Sequence, residues 1–338
     1  MRLAESRKKI VCLGGGTGVS VVLSGFKKYP IELTAIVTMF DSGGSSGKLR
    51  KELGILPLGD IRQCLTTLSG KRELIPILHY RFAKGGLRGH NLGNLLMAAL
   101  IEIEGGLEGA IDKMTKILNV KGKIIPVTAE SADIVATLKN NQRVKGEEKI
   151  INCRYLSKVG LKKLSLEPKV KANPEAISAI KKADLIVFAP GKFYTSILPN
   201  LLVGGIPEAV RSSRAKKVFV CNLMTQIGNT DNFKVENFVK ILQEYLGQNV
   251  IDYVIFNTGK LPEKELKEVK RVFPGAEFIK YDKALLKKKS FVGGNLLNGI
   301  IKKPNPADAL VKKVNQRTMV LHDPKKLAKI IFNLCRQY

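Results

Sequence analysis

Ile10–Leu13 is an apolar run that ends on Gly14-Gly15-Gly16-Thr17-Gly18 and leads into a helical pattern near Val19–Lys27. A strand that breaks on glycines and turns straight into a helix is the opening unit of a parallel sheet, whose strands need crossover helices. The unit recurs along the chain. Leu33–Met39 reads as the next strand, and Ile61–Ser69 and Leu92–Glu102 as amphipathic helices. Leu185–Phe188, Lys217–Cys221 and Ile251–Phe256 are largely apolar runs, as strands covered on both faces require. The expected fold is α/β: a doubly wound, Rossmann-like αβα sandwich with a mainly parallel sheet. Ligands of such sheets bind beyond the carboxyl ends of the strands.

The segment from about 121 to 171 breaks the rhythm. Lys123–Thr128, Asp133–Leu138 and Lys149–Cys153 read as strands around a polar turn at Asn140–Gly146, a small β-rich insertion. Pro174–Lys182 resumes as a helix. The organisation expected is a basic tail over residues 1–8 and one domain over 9–338 that contains the insertion. With 57 Lys+Arg against 29 Asp+Glu, the net charge of +28 favours an anionic partner without choosing one. Lysine runs supply weak, salt-sensitive attraction to nucleic acid, but no base-reading signature accompanies them. Cys12, Cys64, Cys153, Cys221 and Cys335 are odd in number and scattered, which suits free thiols in a reducing compartment. No apolar run is long enough to span a bilayer, and the start lacks a secretory apolar core, so a cytoplasmic location is expected.

Six polar turns carry the chemistry. In the first, Gly15, Gly16, Thr17 and Gly18 open a helix whose unpaired N–H groups can face an anion. Val19 stands at the third glycine of the dinucleotide fingerprint, so that motif fails. The second, Asp41-Ser42-Gly43-Gly44-Ser45-Ser46-Gly47-Lys48-Leu49-Arg50, is like a P-loop without being one. Ser42 replaces the first glycine and Leu49 the magnesium-binding hydroxyl. It leaves a nest of amides with Ser45, Ser46, Lys48 and Arg50 about it, or else a flexible serine-glycine loop; its place after a strand favours a ligand. Asp41 ends the strand, where an acid can hold a ribose hydroxyl or a metal such as Mg2+.

In the third turn, Gly59-Asp60-Ile61-Arg62, Asp60 is a candidate ligand residue and also a good N-cap for the following helix, and capping alone accounts for it. In the fourth, which also holds Asn91, His90 and Asn94 lie one helical turn apart, facing one pocket or merely capping. The fifth, Pro190-Gly191-Lys192-Phe193-Tyr194-Thr195-Ser196, again follows a strand and opens a helix with hydroxyls. The sixth is Asn222-Leu223-Met224-Thr225-Gln226, after the strand that ends at Cys221. Six polar turns, mostly at strand ends, converge on one crevice, and that convergence points to a phosphate-bearing ligand. His79, His90 and His322 have no metal-ligand spacing, no nucleophile elbow is present, and Asp323-Pro324 reads as the start of the last helix.

Taken together, from about Lys9 onward, these motifs resemble the YvcK/CofD family. They include Pro57-Leu58-Gly59-Asp60-Ile61-Arg62, Gly89-His90-Asn91-Leu92-Gly93-Asn94 and Tyr194-Thr195-Ser196-Ile197-Leu198-Pro199-Asn200 as well as His322-Asp323-Pro324. The resemblance is closer to the YvcK branch, called gluconeogenesis factors. It implies an αβα sandwich, a homodimer, and a cytoplasmic regulator of cell shape and wall synthesis in gluconeogenic growth that binds UDP-sugars and requires no cofactor. The other branch implies a metal-dependent phospholactate transferase. The chain departs from the family pattern at Ser42, where a second Asp is usual. It also departs at Lys192, usually Ser or Thr, and at Leu321, usually Arg.

Overall fold

The structure is a computed structural model, and it describes residues 7–298 and 320–336. Its strands are β1 (Lys8–Gly14), β2 (Ile31–Val37), β3 (Lys123–Pro126), β4 (Asp133–Leu138), β5 (Arg143–Lys145), β6 (Leu161–Glu167), β7 (Leu185–Phe188), β8 (Lys216–Val220), β9 (Tyr253–Asn257) and β10 (Phe291–Gly294). Seven of them form one sheet in the order β10-β9-β8-β7-β1-β2-β3. Every pairing in it is parallel, with Ile10 in register with Leu33 on one side and Leu185 on the other. The doubly wound α/β expectation holds.

The central strands are apolar throughout because helices cover both faces. All four residues of β7 are buried, as is β1 from Ile10 to Gly14. Ile10, Leu13, Ile36, Phe188 and Phe219 are among its fully buried side chains, and each contributes about 1.5–3 kcal/mol by leaving water. The helix Gly16–Phe26 packs against the helices Gly59–Leu68 and Pro324–Arg336. Asp323 caps that last helix, its carboxylate accepting the N–H groups of Lys325 and Lys326 at 2.9 and 3.1 Å.

The inserted region differs from its sequence reading: β5 lies within the expected polar turn, β6 is an additional strand, and two of the expected strands change. Lys123–Thr128 does not belong to it: β3 is the edge strand of the main sheet, parallel to β2, and Pro126 is tolerated there because an edge strand has a side with no ladder. Lys149–Cys153 is not a strand. Glu147–Ile151 is a helix that buries Ile150 and Ile151, and an apolar pair alone cannot distinguish the two states. The second sheet is antiparallel, in the order β5-β4-β6.

Candidate functional site

The winding of the large sheet reverses between β1 and β7. From β1 the chain moves to β2 and β3 on one side, and from β7 to β8, β9 and β10 on the other. Such a reversal leaves a crevice at the carboxyl edge. The turns that follow these two strands meet there. A Cβ on Gly18 would lie 1.5 Å from the Pro190 carbonyl oxygen, so only glycine permits the two turns to touch. A Cβ on Gly15 would lie 2.9 Å from that of Ser196. Asn222, after β8, clamps the second turn: its Oδ1 accepts from the Gly191 N–H at 3.2 Å and its Nδ2 donates to the Gly191 carbonyl at 2.7 Å. The first, fifth and sixth motifs thus share one wall.

The fifth motif is not the regular helix start expected. Phe193–Ile197 is a wide turn in which the N–H groups of Thr195, Ser196 and Ile197 all converge on the Lys192 carbonyl. Tyr194 is buried with its ring edge-on to Phe193, and burial raises its phenol pKa. It is a packing residue. Thr195 is buried with no partner for its hydroxyl among the described residues.

Three helices begin beside the crevice: Gly16–Phe26, Gly44–Leu53 and Gly59–Leu68. None has a side-chain hydrogen bond at its N-cap. The N-cap side chains thus satisfy none of the first-turn amides, although Ser46 Oγ takes the Gly59 N–H and the Asp60 carboxylate faces the Gly16 N–H, and each N-terminus carries the positive end of a helix dipole. The Gly43–Gly47 stretch is accordingly a helix start rather than a free loop. Gly44, at a φ of +54°, meets no atom within 4 Å of its Cβ position, so it faces open space.

Asp60 is not the helix cap that its sequence position suggests. Leu58 is the N-cap, and Asp60 lies in the first turn, where the Gly16 N–H favours its carboxylate anion. A Cβ on Gly16 would stand 2.6 Å from Asp60 Oδ1 and 2.8 Å from its Cα, so Gly16 serves a close approach within the protein itself. Asp41 follows β2, and its Oδ1 accepts the Gly43 N–H at 3.0 Å. Glu147, from the inserted region, completes the cluster. Its buried carboxylate accepts from Lys192 Nζ at 2.9 Å. Desolvation and then the negative charges of Glu147 and Asp60 push the Asp41 carboxyl up to about 8. Desolvation also raises Asp60, against the Gly16 N–H and Lys192, which favour its anion. Lys192 is the reverse case. Desolvation opposes its charge, but Glu147 and Asp41 outweigh it and hold the ammonium above its ordinary range.

The remaining predicted residues form a supporting layer. Ser46 Oγ accepts from the Gly59 N–H at 3.0 Å and from Asn94 Nδ2 at 3.4 Å. Ser45 Oγ lies 3.4 Å from His90 Nδ1 and accepts from the Asn91 N–H at 3.2 Å. Arg62 Nε donates to Asn94 Oδ1 at 2.8 Å, and Asn91 caps the helix Leu92–Ile103. The second, third and fourth motifs are therefore bonded to one another, and His90 and Asn94 reach the serines. Arg50 is turned away: it pairs with Asp133 and donates to Ser131 and the Ala132 carbonyl. Thr225 is tied to the Glu277 backbone, and the Gln226 N–H donates to Thr230. Arg50 and Thr225 thus spend their polar side-chain groups within the protein, and Gln226 is held through its backbone. Thr17 is exposed and meets Gln63.

Glu147 is absent from the sequence reading. The only signal for it was an acid directly after Gly146 at a helix start, and nothing in the linear pattern links it to Lys192. Ser42 makes the same connection, its hydroxyl accepting the Glu148 N–H at 3.1 Å.

Among the described residues, no group of three or more His, Cys, Asp or Glu side chains is arranged to hold a metal ion. The Lys192 ammonium is set against the carboxylates instead. The residues present do not fit the metal implied by the transferase branch of the family. No helix among the described residues is long and apolar enough to cross a membrane. His322 is buried, and its Nε2 lies 3.1 Å from the Cys221 carbonyl, which it can meet only as an N–H donor. Burial lowers its pKa to about 4.

A family model described as 2-phospho-L-lactate transferase CofD matches residues 10–293. The gluconeogenesis factor of Bacillus subtilis is 39% identical over 336 residues, covering 98% of this chain and 99% of that protein. The gluconeogenesis factor of Halalkalibacterium halodurans is 44% identical over 254 residues, 74% of this chain and 77% of that one. A crystal structure of a UPF0052-family member from Bacillus halodurans superposes with a TM-score of 0.84. It is 36% identical and covers 97% of this chain and 100% of its own.

Proposed function

This chain belongs to the CofD family, and from that premise we propose that it is a nucleotide-sugar-binding regulatory protein, of the gluconeogenesis-factor kind, with UDP-sugars as its ligands. The observation that carries the reading is the crevice between β1 and β7. Glycine turns, helix N-termini without side-chain caps and the Lys192 ammonium all border it. Backbone amides at a topological switch point suit a diphosphate, and half-buried Asp41 is placed to accept a ribose or sugar hydroxyl. A regulator needs such a site without turnover. We assign it the control of cell shape and wall synthesis in gluconeogenic growth, in the cytoplasm, with no required cofactor and no sequence-specific nucleic acid. A homodimer suits Ile77, Leu96 and Ile103, which are exposed on two packed helices, and exposed Tyr80 just past the end of the first.

Calorimetry against UDP-sugars, UDP, and ADP- and GDP-sugars tests the reading. We expect UDP-sugars to bind with a dissociation constant on the order of 100 µM or tighter, without a chemical heat of turnover. Equal affinity for every nucleotide, or none for UDP-sugars, contradicts it.

The second reading is a transferase of a phospho-acid group, supported by the description of the family model. A metal-assisted transfer needs a cation at the bridging oxygens, and the Lys192 ammonium, bonded to Glu147, stands among the carboxylates that would hold one. Nucleotide release that depends on Mg2+ or Mn2+ and vanishes in Asp41→Asn would establish the transferase instead.

A further inference from the structure

Lys192 directly follows the Pro190-Gly191 turn that closes the crevice. Its Nζ donates to Glu147, whose side chain is 7% exposed, while that of Lys192 is 45% exposed. The other carboxylates stand close by. A Cβ on Gly43 would lie 3.6 Å from Asp41 Oδ1 and 3.8 Å from Glu147 Oε2, so these two acids flank the same glycine. A Cβ on Gly59 would lie 3.6 Å from Asp41 Oδ2, and the next residue is Asp60. Asp41, Asp60 and Glu147 each act electrostatically on Lys192. They reach the cluster from three separate parts of the chain: the end of β2, the helix Gly59–Leu68 and the inserted region.

Three oxygen-bearing acids from separate elements are the donor class that hard divalent cations prefer. One cation, the Lys192 ammonium, already stands in this group, tethered by its own side chain. A divalent ion entering beside it would meet like-charge repulsion and would have to break the bond to Glu147. We infer that the Lys192 ammonium is the resident counter-ion of Asp41, Asp60 and Glu147, and that it excludes divalent cations from this cluster. The consequence for ligands rests on the proposed nucleotide site: phosphates there meet a lysine charge in place of a metal. The cation exclusion itself does not depend on that reading. The inserted region also gains a role, since Glu147 fixes where the ammonium stands and Glu148 is tied to Ser42 beside Asp41.

The test uses the full chain and Mn2+ alone, followed by electron paramagnetic resonance. Wild-type protein is expected to bind no more Mn2+ than the Asp41→Asn variant. Lys192→Ala is expected to gain a single site, tighter than wild type by about tenfold or more, and to lose it again when Glu147→Gln is added. Lys192→Arg keeps the charge and is expected to stay without Mn2+. Lys192→Ser serves the same purpose if the alanine variant does not fold, and melting with and without Mn2+ reports the site independently. A stoichiometric Mn2+ site in wild-type protein that Asp41→Asn abolishes would overturn the inference, and needs no lysine variant. Folded Lys192→Ala and Lys192→Ser proteins that gain no Mn2+ would overturn it too. A failure of UDP-sugar binding would leave these results unchanged, so the two readings fail separately.

Discussion

The two walls of the crevice are built by opposite means. The wall at β1 and β7 is backbone against backbone: Gly18 lies under the Pro190 carbonyl, and Asn222 brackets Gly191. The wall formed by residues 41–62, 90–94 and 147 relies on side chains: Ser46, Asn94 and Arg62 are bonded in one chain, and Glu147 is bonded to Lys192. A backbone wall tolerates almost no added atom, because main chain cannot step aside. A side-chain wall tolerates replacement geometrically but responds to charge. The first wall is therefore expected to fail by sterics and the second by electrostatics.

Gly18→Ala is the strongest way to break this contrast. Its methyl would sit 1.5 Å from a carbonyl oxygen, and we expect a loss of about 3 kcal/mol or more in urea unfolding. A loss near zero would mean that the wall is not rigid. His322 belongs to the same side, because it donates to the Cys221 carbonyl just before Asn222. Its folded pKa of about 4 lies below the ordinary value of 6.5, so the unfolded chain binds the extra proton between those pH values. Its contribution is complete above about pH 6.5 and lost as pH falls toward 4, about 3 kcal/mol across the window. His322→Gln, which keeps a donor, is expected to flatten that part of the stability-pH curve relative to wild type. An unchanged slope would remove His322 from the account.

The side-chain wall should give smaller, charge-dependent effects. Glu147→Gln leaves Lys192 without its ion-pair partner. The lysine is 45% exposed, so we expect only about 1–2 kcal/mol of destabilisation, largest at low salt. A salt-independent loss would assign the effect to packing. Asp41→Asn is the mildest. The folded state holds the Asp41 proton more tightly than the unfolded chain does, so stability falls as pH rises from about 4 toward 8. The variant is expected to be more stable than wild type at pH 8 by about 1 kcal/mol or less, with no gain near pH 4. A loss at pH 8 would show that the Asp41 anion is a net stabiliser.

The same contrast explains what was legible in the sequence. The glycine turns advertise the backbone wall, since Gly14–Gly18 and Pro190-Gly191 each follow an apolar strand that the sheet confirms. The order of the sheet adds what no local pattern contains, that these two turns are neighbours. The polar residues of the other wall were visible as types but not as roles. Asp60 reads as a cap because capping acids look alike in sequence, and only the approach of Gly16 shows its function. Arg50 reads as a phosphate ligand until β4 supplies Asp133. Glu147 showed only as an acid after a glycine, with nothing to link it to Lys192, because that partner is 45 residues away.

The central claim is that the crevice between β1 and β7 receives the phosphates of a nucleotide-sugar. A crystal structure of the chain with a bound UDP-sugar tests it most directly. The account predicts phosphate oxygens within about 3 Å of first-turn amides of the helix Gly16–Phe26 or Gly44–Leu53, with Lys192 within reach of the same oxygens. A nucleotide bound elsewhere on the protein, or one in the crevice with its phosphates beyond hydrogen-bond reach of both helices, would contradict it.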